Sequence, residues 1–257
     1  MATTPRLFVD STLAADGGVS LSEDQARYLG QVLRKKPGDV VRVFNGRDGE
    51  YAAHIADFTK RGGELVCQQQ TRAQAASPDV HLLFAPLKRQ RTDMIVEKAT
   101  ELGAARVQPV FTARTNSDHV RTDRLRAIAI EAAEQTERLD VPDIEEPAQL
   151  ESLLFRWPEN RRIIFADESG DDDSRAWGGD AGRAPPIAAA LQKFASQDVR
   201  WAILIGPEGG FTPEERAHLR TLAYITPVSL GPRILRAETA ALAALTIWQS
   251  ILGDWRT

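Results

Sequence analysis

The apolar and polar positions of this chain follow two different spacings, one before and one after about residue 75. In the first part, short runs of alternating apolar and polar residues predict strands. They lie at Arg6–Val9, Val40–Phe44, Tyr51–Phe58 and Glu64–Gln68. One helix, at about Ser22–Lys35, interrupts them, and turns are marked by Gly46, Gly49, Gly62 and Gly63. This pattern predicts a small β-barrel.

From Val80 onward, strand and helix patterns alternate. Strands are predicted at His81–Pro86, Arg106–Phe111 and Arg162–Ala166, and helices at Thr92–Leu102 and Thr122–Thr136. Such alternation is typical of an α/β domain with a parallel sheet. The sequence therefore predicts two domains, residues 1–73 and 74–257, with a linker that begins at Gln74.

Two glycine-bearing loops stand out in the second part, and each follows a short apolar run. The first loop, Leu204–Phe211 (LIGPEGGF), leads into a helix for which Thr212 fits the N-cap, Pro213 the first position and Glu215 a capping box. The second, Ser229–Ala240 (SLGPRILRAETA), follows a predicted strand that ends at Gly231. It leads into an apolar helix over about Glu238–Leu252.

The two loops can face one pocket from neighbouring strands, and this arrangement suits a nucleotide-like ligand. No lysine follows the glycines, so the first loop is neither a Walker phosphate loop nor a GxGxxG motif. Glu208 would repel a phosphate but suits hydroxyl groups or a positive centre. By spacing alone, Ile234 and Leu235 are equally well explained as core residues and as the apolar wall of an adenine pocket.

Together the two loops resemble the RsmE family, the 16S rRNA uridine-N3-methyltransferases of the SPOUT class. Further matches are KATELG at Lys98–Gly103, EAAEQ at Glu131–Gln135 and an N-terminal VLR…GD…FNG pattern that starts at Val32. The resemblance therefore covers nearly the whole chain. Departures are Asn45 in place of the usual Asp, and Ala26-Arg27-Tyr28 where many members carry histidine. The Asp- and Gly-rich segment 169–186 is also longer than the family needs.

The resemblance implies an α/β SPOUT domain with a parallel sheet and a deep C-terminal trefoil knot, preceded by a PUA-like RNA-binding β-barrel. It implies S-adenosylmethionine (SAM) as cofactor, 16S rRNA in the assembled or nearly assembled 30S subunit as partner, and a homodimer with sites at the interface. The cofactor-binding residues that it implies are Ala166, Ile205, Gly206, Glu208, Gly209, Gly210, Leu230, Gly231, Ile234, Leu235 and Ala237.

Methylation at N3 of uridine needs a donor that stabilises negative charge on the uracil oxygens, and Arg236 beside the second loop is the best candidate. Alternatively, Arg236 pairs with Glu238 or caps a carbonyl. Glu134 and Glu238 are candidates for the general base, although Glu134 could instead be an interface ion-pair partner.

The net charge of −4 is unevenly distributed. Residues 1–126 carry 19 basic and 15 acidic side chains, and residues 127–257 carry 13 and 21. Basic clusters can contact phosphates, although short charge runs are usually solvated faces. The predicted RNA contacts are Arg6, Arg34, Lys35, Lys88, Arg89, Arg91 and Arg138, with Arg6 reaching RNA bound at the other subunit.

The remaining composition predicts a cytoplasmic protein. No 18-residue apolar run and no signal-peptide core are present, and the one cysteine, Cys67, excludes an internal disulfide. One cysteine and four scattered histidines argue against a metal site. Three alternatives remain open: a catalytically idle RNA-binding dimer, a SPOUT enzyme that acts on a different RNA nucleotide, and an unrelated α/β enzyme.

Overall fold

The computed structural model describes residues 4–59, 61–75, 77–117, 119–167 and 184–256. They form two compact units. The first contains the chain up to Ala76 together with Ile130–Val141, and the second contains Ser77–Ala129 and Pro142–Thr257. Most of the Asp- and Gly-rich segment noted in the sequence lies outside the described residues. Among the described helices, none is long and apolar enough to cross a bilayer.

The first unit is built on a five-stranded sheet. Its strands are β1 (Arg6–Phe8), β2 (Gly18–Leu21), β3 (Val40–Phe44), β4 (Glu50–Thr59) and β5 (Gly62–Arg72). They are arranged in the order β1-β3-β4-β5-β2, in which β1 runs parallel to β3 and the other pairs are antiparallel. All five strands contribute buried side chains to one apolar core, among them Leu7, Val19, Val43, Ile55 and Leu65. The five strands therefore share one core, and closure of the sheet into the predicted barrel stays a prediction.

The helix of the first unit is shorter than its sequence pattern suggests. The α-helix α1 (Glu23–Arg27) starts with a capping box formed by Ser22 and Gln25, and it continues as a π-helical turn, Tyr28–Val32. Arg34 has a φ of 55°, in the left-handed region, so the helix cannot run on to Lys35 as predicted.

The second unit alternates strands and helices, as predicted. Its strands are β6 (Val80–Phe84), β7 (Arg106–Phe111), β8 (Asp143–Ile144), β9 (Ala148–Gln149), β10 (Arg161–Ala166), β11 (Arg200–Ile205) and β12 (Ile225–Val228). Its helices are α2 (Arg89–Glu101), α3 (Thr122–Gln135, whose last residues belong to the first unit), α4 (Leu150–Phe155), α5 (Ile187–Gln192), α6 (Pro213–Thr221) and α7 (Ala237–Ile251), followed by a 3₁₀ turn at Asp254–Arg256.

The sheet of the second unit is parallel throughout, in the order β12-β10-β11-β6-β7-β8, with β9 also beside β7. Residues 163–165 of β10 and 201–205 of β11 are apolar and buried, as expected for strands covered on both faces. Helix α7 packs against α2 and α5. This layering confirms the predicted α/β class, and the knot stays a prediction.

Two element bounds of the second unit lie three residues away from those predicted. Strand β12 ends at Val228 rather than at Gly231, because the backbone of Ser229 turns to pair with Pro185 and Pro186. Pro227 is accommodated since β12 is an edge strand, where a missing N–H is tolerated. Helix α2 begins at Arg89 rather than at Thr92, whose hydroxyl hydrogen-bonds the backbone of Leu87.

Candidate active site

A cavity of about 510 Å³ lies in the second unit where β10 and β11 end. Parallel α/β sheets bind ligands at the carboxyl ends of their strands, and this volume is typical of a small-molecule site. The cavity brings together most of the predicted cofactor-binding residues, namely Ala166, Ile205, Gly206, Glu208, Gly209, Gly210, Ile234, Leu235 and Ala237. Leu230 and Gly231 are not among the lining residues, and their contact with a cofactor stays a prediction.

The first glycine loop is held tightly at both ends. Thr212 and Glu215 form the predicted capping box, with Pro213 in the first turn of α6. At the other end, a Cβ on Gly206 would lie 2.5 Å from the ring of Phe211, so only glycine fits there without moving that ring. Gly210 has a φ of 66°, which also favours glycine. The loop therefore presents its backbone to the cavity in a defined shape.

One wall of the cavity is apolar. It is formed by Ile205, Phe211, Leu235, Ala237 and Ala240. Ile234 also lines the cavity and is 77% exposed, so it is not a core residue. The sequence left open whether Ile234 and Leu235 plug the core or form a ligand wall, and the structure places both at the cavity.

A buried ion-pair cluster lines another side and was missed from the sequence. Asp167 follows the last residue of β10, and its side chain is only 1% exposed. Its carboxylate accepts hydrogen bonds from Nε of Arg216 (2.8 Å) and Nε of Arg220 (2.7 Å), both on α6. The sequence signal that could have identified Asp167 is an acidic residue directly after a predicted buried strand.

A second charged cluster joins both glycine loops to α2. The guanidinium of Arg91 pairs with Glu208 of the first loop, and its Nε lies 3.6 Å from Oε1 of Glu238 on α7. Glu238 is 9% exposed, and its Oε2 has no hydrogen-bond partner among the described residues. Arg91, predicted to contact RNA, thus lines the cavity between two carboxylates.

Arg236 stands apart from this cluster. It is the N-cap residue of α7 but makes no side-chain cap hydrogen bond. Within the described part of the chain its exposed side chain has no ion-pair partner, since Glu238 faces Arg91 instead. The guanidinium that lines the cavity is thus available to a ligand. The structure favours this interpretation over a pair between Arg236 and Glu238.

The close fit at Gly206 makes the shape of the first loop testable. We expect Gly206→Ala to weaken SAM binding on the order of tenfold, because overpacking a closed site costs about 1–3 kcal/mol. Gly209→Ala should cost less, since a Cβ there would lie 3.5 Å from the side chain and 3.9 Å from the carbonyl oxygen of Arg114, which are ordinary contacts. Titration calorimetry with SAM measures both, and equal affinities for the two variants would contradict the argument.

The remaining predicted residues occupy different settings. Lys88 and Arg89 are exposed where α2 begins. In the first unit, Arg34 is exposed and Lys35 is half-buried. Arg138 is buried and pairs with Asp140. RNA contact through each of these residues stays a prediction.

Arg6 is a structural centre of the first unit. Its side chain is 7% exposed, and its Nε donates to Oε2 of Glu50 (2.7 Å). Its other nitrogens donate to the carbonyl oxygens of Ala133, Glu134 and Arg138. Arg6 thereby ties β1 to the segment Ile130–Val141. These contacts occupy the guanidinium, and its predicted contact with RNA stays a prediction.

Glu134 belongs to the same part of the first unit. Burial raises the pKa of its carboxyl to about 7, with a further contribution from Glu131, against the opposing effects of the Phe8 N–H and Arg6. Its Oε1 accepts the hydrogen bond from the backbone N–H of Phe8 (2.9 Å). Its role as a catalytic base stays a prediction.

The raised pKa of Glu134 has a consequence for stability. Between pH 4.5 and 7 the folded chain holds a proton that the unfolded chain releases, so stability falls as the pH rises through this range. We expect Glu134→Gln to remove a slope of up to about 1.4 kcal/mol per pH unit in the free energy of unfolding. Urea unfolding of both proteins at pH 5 and pH 8 tests this. Parallel pH profiles would contradict it.

The parallel α/β fold with a cavity at the strand ends is that of a domain that binds a small-molecule ligand. Comparison with known sequences identifies the class of protein. The chain matches the profile of an RNA methyltransferase domain over residues 75–249 and that of an RNA methyltransferase PUA domain over residues 21–66. Both matches point to RNA methyltransferases that carry a PUA domain.

Individual relatives narrow this class. The chain is 31% identical to the ribosomal RNA small subunit methyltransferase E of Rickettsia conorii over 93% of each chain. The solved structure of a Legionella pneumophila protein described as a methyltransferase, with SAM bound, has a TM-score of 0.82 at 28% identity and covers 98% of this chain and 100% of its own. The Neisseria gonorrhoeae ribosomal RNA small subunit methyltransferase E bound to SAM has a TM-score of 0.80 at 26% identity, with the same coverage. The chain belongs to the ribosomal RNA small subunit methyltransferase E (RsmE) family.

Proposed function

We propose that this protein uses SAM to methylate N3 of a specific uridine in 16S rRNA of the small ribosomal subunit. The observation that carries the proposal is the cavity at the ends of β10 and β11, built from the two loops that resemble the family. Family membership and the SAM bound to two structural relatives support the same cofactor here.

The cavity fits SAM in size and in chemistry. The backbone of Gly206–Gly210 would hold its polar groups, and Ile205, Leu235 and Ala237 would pack against the adenine. Glu208 and Asp167 each bring a carboxylate to the lining, the first paired with Arg91 and the second with Arg216 and Arg220, and a carboxylate suits the cationic sulfur and the amino group. When bound, SAM supplies an electrophilic methyl group. Among the described residues no cluster of His, Cys, Asp or Glu could hold a metal ion.

The protein must make N3 of uracil nucleophilic, because N3 carries a proton in the neutral base. An arginine stays charged at any working pH and lowers the pKa of a nearby N3–H by favouring the anion. Arg236 is placed for this role, since it lines the cavity and has no ion-pair partner among the described residues. Its guanidinium would donate to a uracil oxygen as negative charge develops there.

Glu238 is our candidate for the base that removes the proton. Its unpartnered Oε2 can accept a hydrogen bond, and its other oxygen is oriented towards Arg91. Glu134 is the second candidate, and its pKa of about 7 would suit a base at neutral pH. The remaining contribution of the protein to catalysis is to position the methyl group of SAM and N3 of the uracil, since methyl transfer is an in-line displacement.

We assign rRNA docking to the N-terminal domain, residues 1–73, and methyl transfer to residues 74–257. The exposed Arg34 and the adjacent Lys35 support docking through charge. We place the protein in the cytoplasm, with the assembled or nearly assembled 30S subunit as its substrate. An idle RNA-binding module would bind no SAM, and calorimetry with SAM, ATP and NAD separates this alternative and the unrelated α/β enzyme from our proposal.

A homodimer is part of the proposal. Helix α7 buries Ala241, Leu245 and Trp248 within its own unit but leaves Leu242 and Ile247 partly exposed. Met94 of the neighbouring helix α2 is also exposed. Such an apolar surface needs a cover, and a second subunit provides one. We expect sedimentation at micromolar concentration to give about twice the chain mass of 28.3 kDa. A monomer alone would contradict the dimer.

The test of the whole proposal is mass mapping of methylated nucleotides in 16S rRNA. A strain that lacks the gene should lose one 3-methyluridine, and the intact gene should restore it. A missing methyl group on a different base would identify a SPOUT enzyme with another target. An unchanged pattern of methylation would refute the proposal.

A further inference from the structure

A second cavity, of about 450 Å³, adjoins the first. Pro207 and Glu208 of the first glycine loop line both, so the two cavities meet at this loop. The other walls of the second cavity are the start of α2 and a set of residues before and within the start of α3, namely Asn116, Ser117, His119, Val120, Arg121, Arg124 and Leu125. A group that receives a methyl from a ligand in the first cavity must approach from a neighbouring space, and this cavity has that position.

The charges of the second cavity leave an excess of positive charge at its mouth. Glu208 is paired with Arg91, and Arg121 with Asp123. Arg124 donates from Nε to Asp93 (3.1 Å). Lys88 and Arg89 are exposed and have no ion-pair partner among the described residues. Within the part of the chain that the structure describes, these two cations are therefore left to meet a polyanion.

The interior combines apolar surfaces with polar groups. Leu87 and Val120 supply apolar contacts, and Asn116 and Ser117 supply hydrogen-bond donors and acceptors. A flat base with polar edges needs this combination, since its faces pack on apolar side chains and its edges are read by hydrogen bonds. The volume lies within the range that holds a small organic ligand.

We propose that this second cavity receives the target uridine, turned out of the RNA strand, with Lys88 and Arg89 on the flanking phosphates. The inference rests on the proposed function and names the acceptor site for it. In a base pair the N3 edge is occupied by the partner base. Enzymes that act on such atoms use unpaired or flipped nucleotides held in a pocket. The base would present this edge to the first cavity, where the two cavities meet beside Pro207 and Glu208.

Filling the cavity tests its role directly. Ser117→Trp should lower methyl transfer to unmethylated 30S subunits more than tenfold, while the affinity for SAM measured by calorimetry stays within about twofold. Ser152→Trp adds the same bulk at an exposed position of α4 and should methylate normally. Normal methylation by Ser117→Trp would overturn the inference, and so would a loss of SAM affinity that matches the loss of activity.

A second pair of variants tests the charges without filling the cavity. Lys88→Ala/Arg89→Ala should raise KM for the subunit and leave SAM affinity unchanged. The slope of log(1/KM) against log[salt] should become shallower by about 1.4, the change for two lost contacts to a single strand. The control Arg126→Ala/Arg156→Ala removes two exposed charges of the second unit that do not line the cavity. An equal change in both double variants would overturn the assignment of the phosphate contacts.

The two failures are distinguishable. If the proposed function is wrong, the unchanged protein leaves N3 of uridine unmethylated in 30S subunits. If the function is right and the acceptor site is wrong, the unchanged protein methylates that position and Ser117→Trp does so at the same rate.

Discussion

Arg236→Ala should retain SAM binding and dimerisation and lose methyl transfer on the order of 100- to 1000-fold, the usual effect of removing one preorganised donor. Arg236 lines the cavity, caps α7 through its backbone position only, and makes no ion pair within the described residues. Its loss therefore leaves no buried carboxylate unpaired, and the fold should be unaffected. Single-turnover methylation of 30S subunits with saturating SAM measures the chemical step.

Arg236→Lys separates the effect of the positive charge from that of the planar guanidinium. A lysine keeps the charge but has one ammonium group instead of a planar fork, so it should restore only part of the rate. Full recovery would mean that charge alone suffices. Normal methylation by Arg236→Ala, or an effect explained by lost folding, would show that the donor lies elsewhere.

Glu238→Gln should reduce methyl transfer on the order of 100-fold or more, the range that general base catalysis contributes. The amide keeps the shape of the side chain but cannot take a proton. A base role predicts that raising the pH restores part of the rate, because hydroxide can then remove the N3 proton. Single-turnover rates from pH 6 to pH 9 show whether this recovery occurs.

A structural role for Glu238 makes a different prediction. Removing its charge would disturb Arg91, which lies 3.6 Å away, and SAM affinity would fall with the rate at every pH. Glu97→Gln removes a carboxylate on α2 that pairs with Lys98 instead and serves as the matched control. Methylation by Glu238→Gln at the normal rate would leave Glu134 as the candidate base.

The local sequence predicted many of the elements and both glycine loops, but not β2, β8, β9, α4 or α5. The capping box at Thr212 and Glu215 is present as predicted, and so is the strand predicted at Arg162–Ala166, which is β10. Each of these features depends on residues close together in the chain. Element ends were predicted less well, since β12 stops at Val228 through pairing of Ser229 with Pro186, a residue 43 positions earlier.

The sequence by itself determined the α/β class and, through the motifs that it shares with the RsmE family, membership of that family, whereas the domain bounds 1–73 and 74–257 stay a prediction. Only the tertiary structure decided which charges meet. Arg91 and Glu238 are 147 positions apart, and their proximity frees Arg236 from the pair that the sequence suggested. Asp167 likewise finds its arginines on a different element, α6. Motifs and periodicity record local constraints, whereas ion pairs and cavity walls depend on how the sheet brings distant loops together.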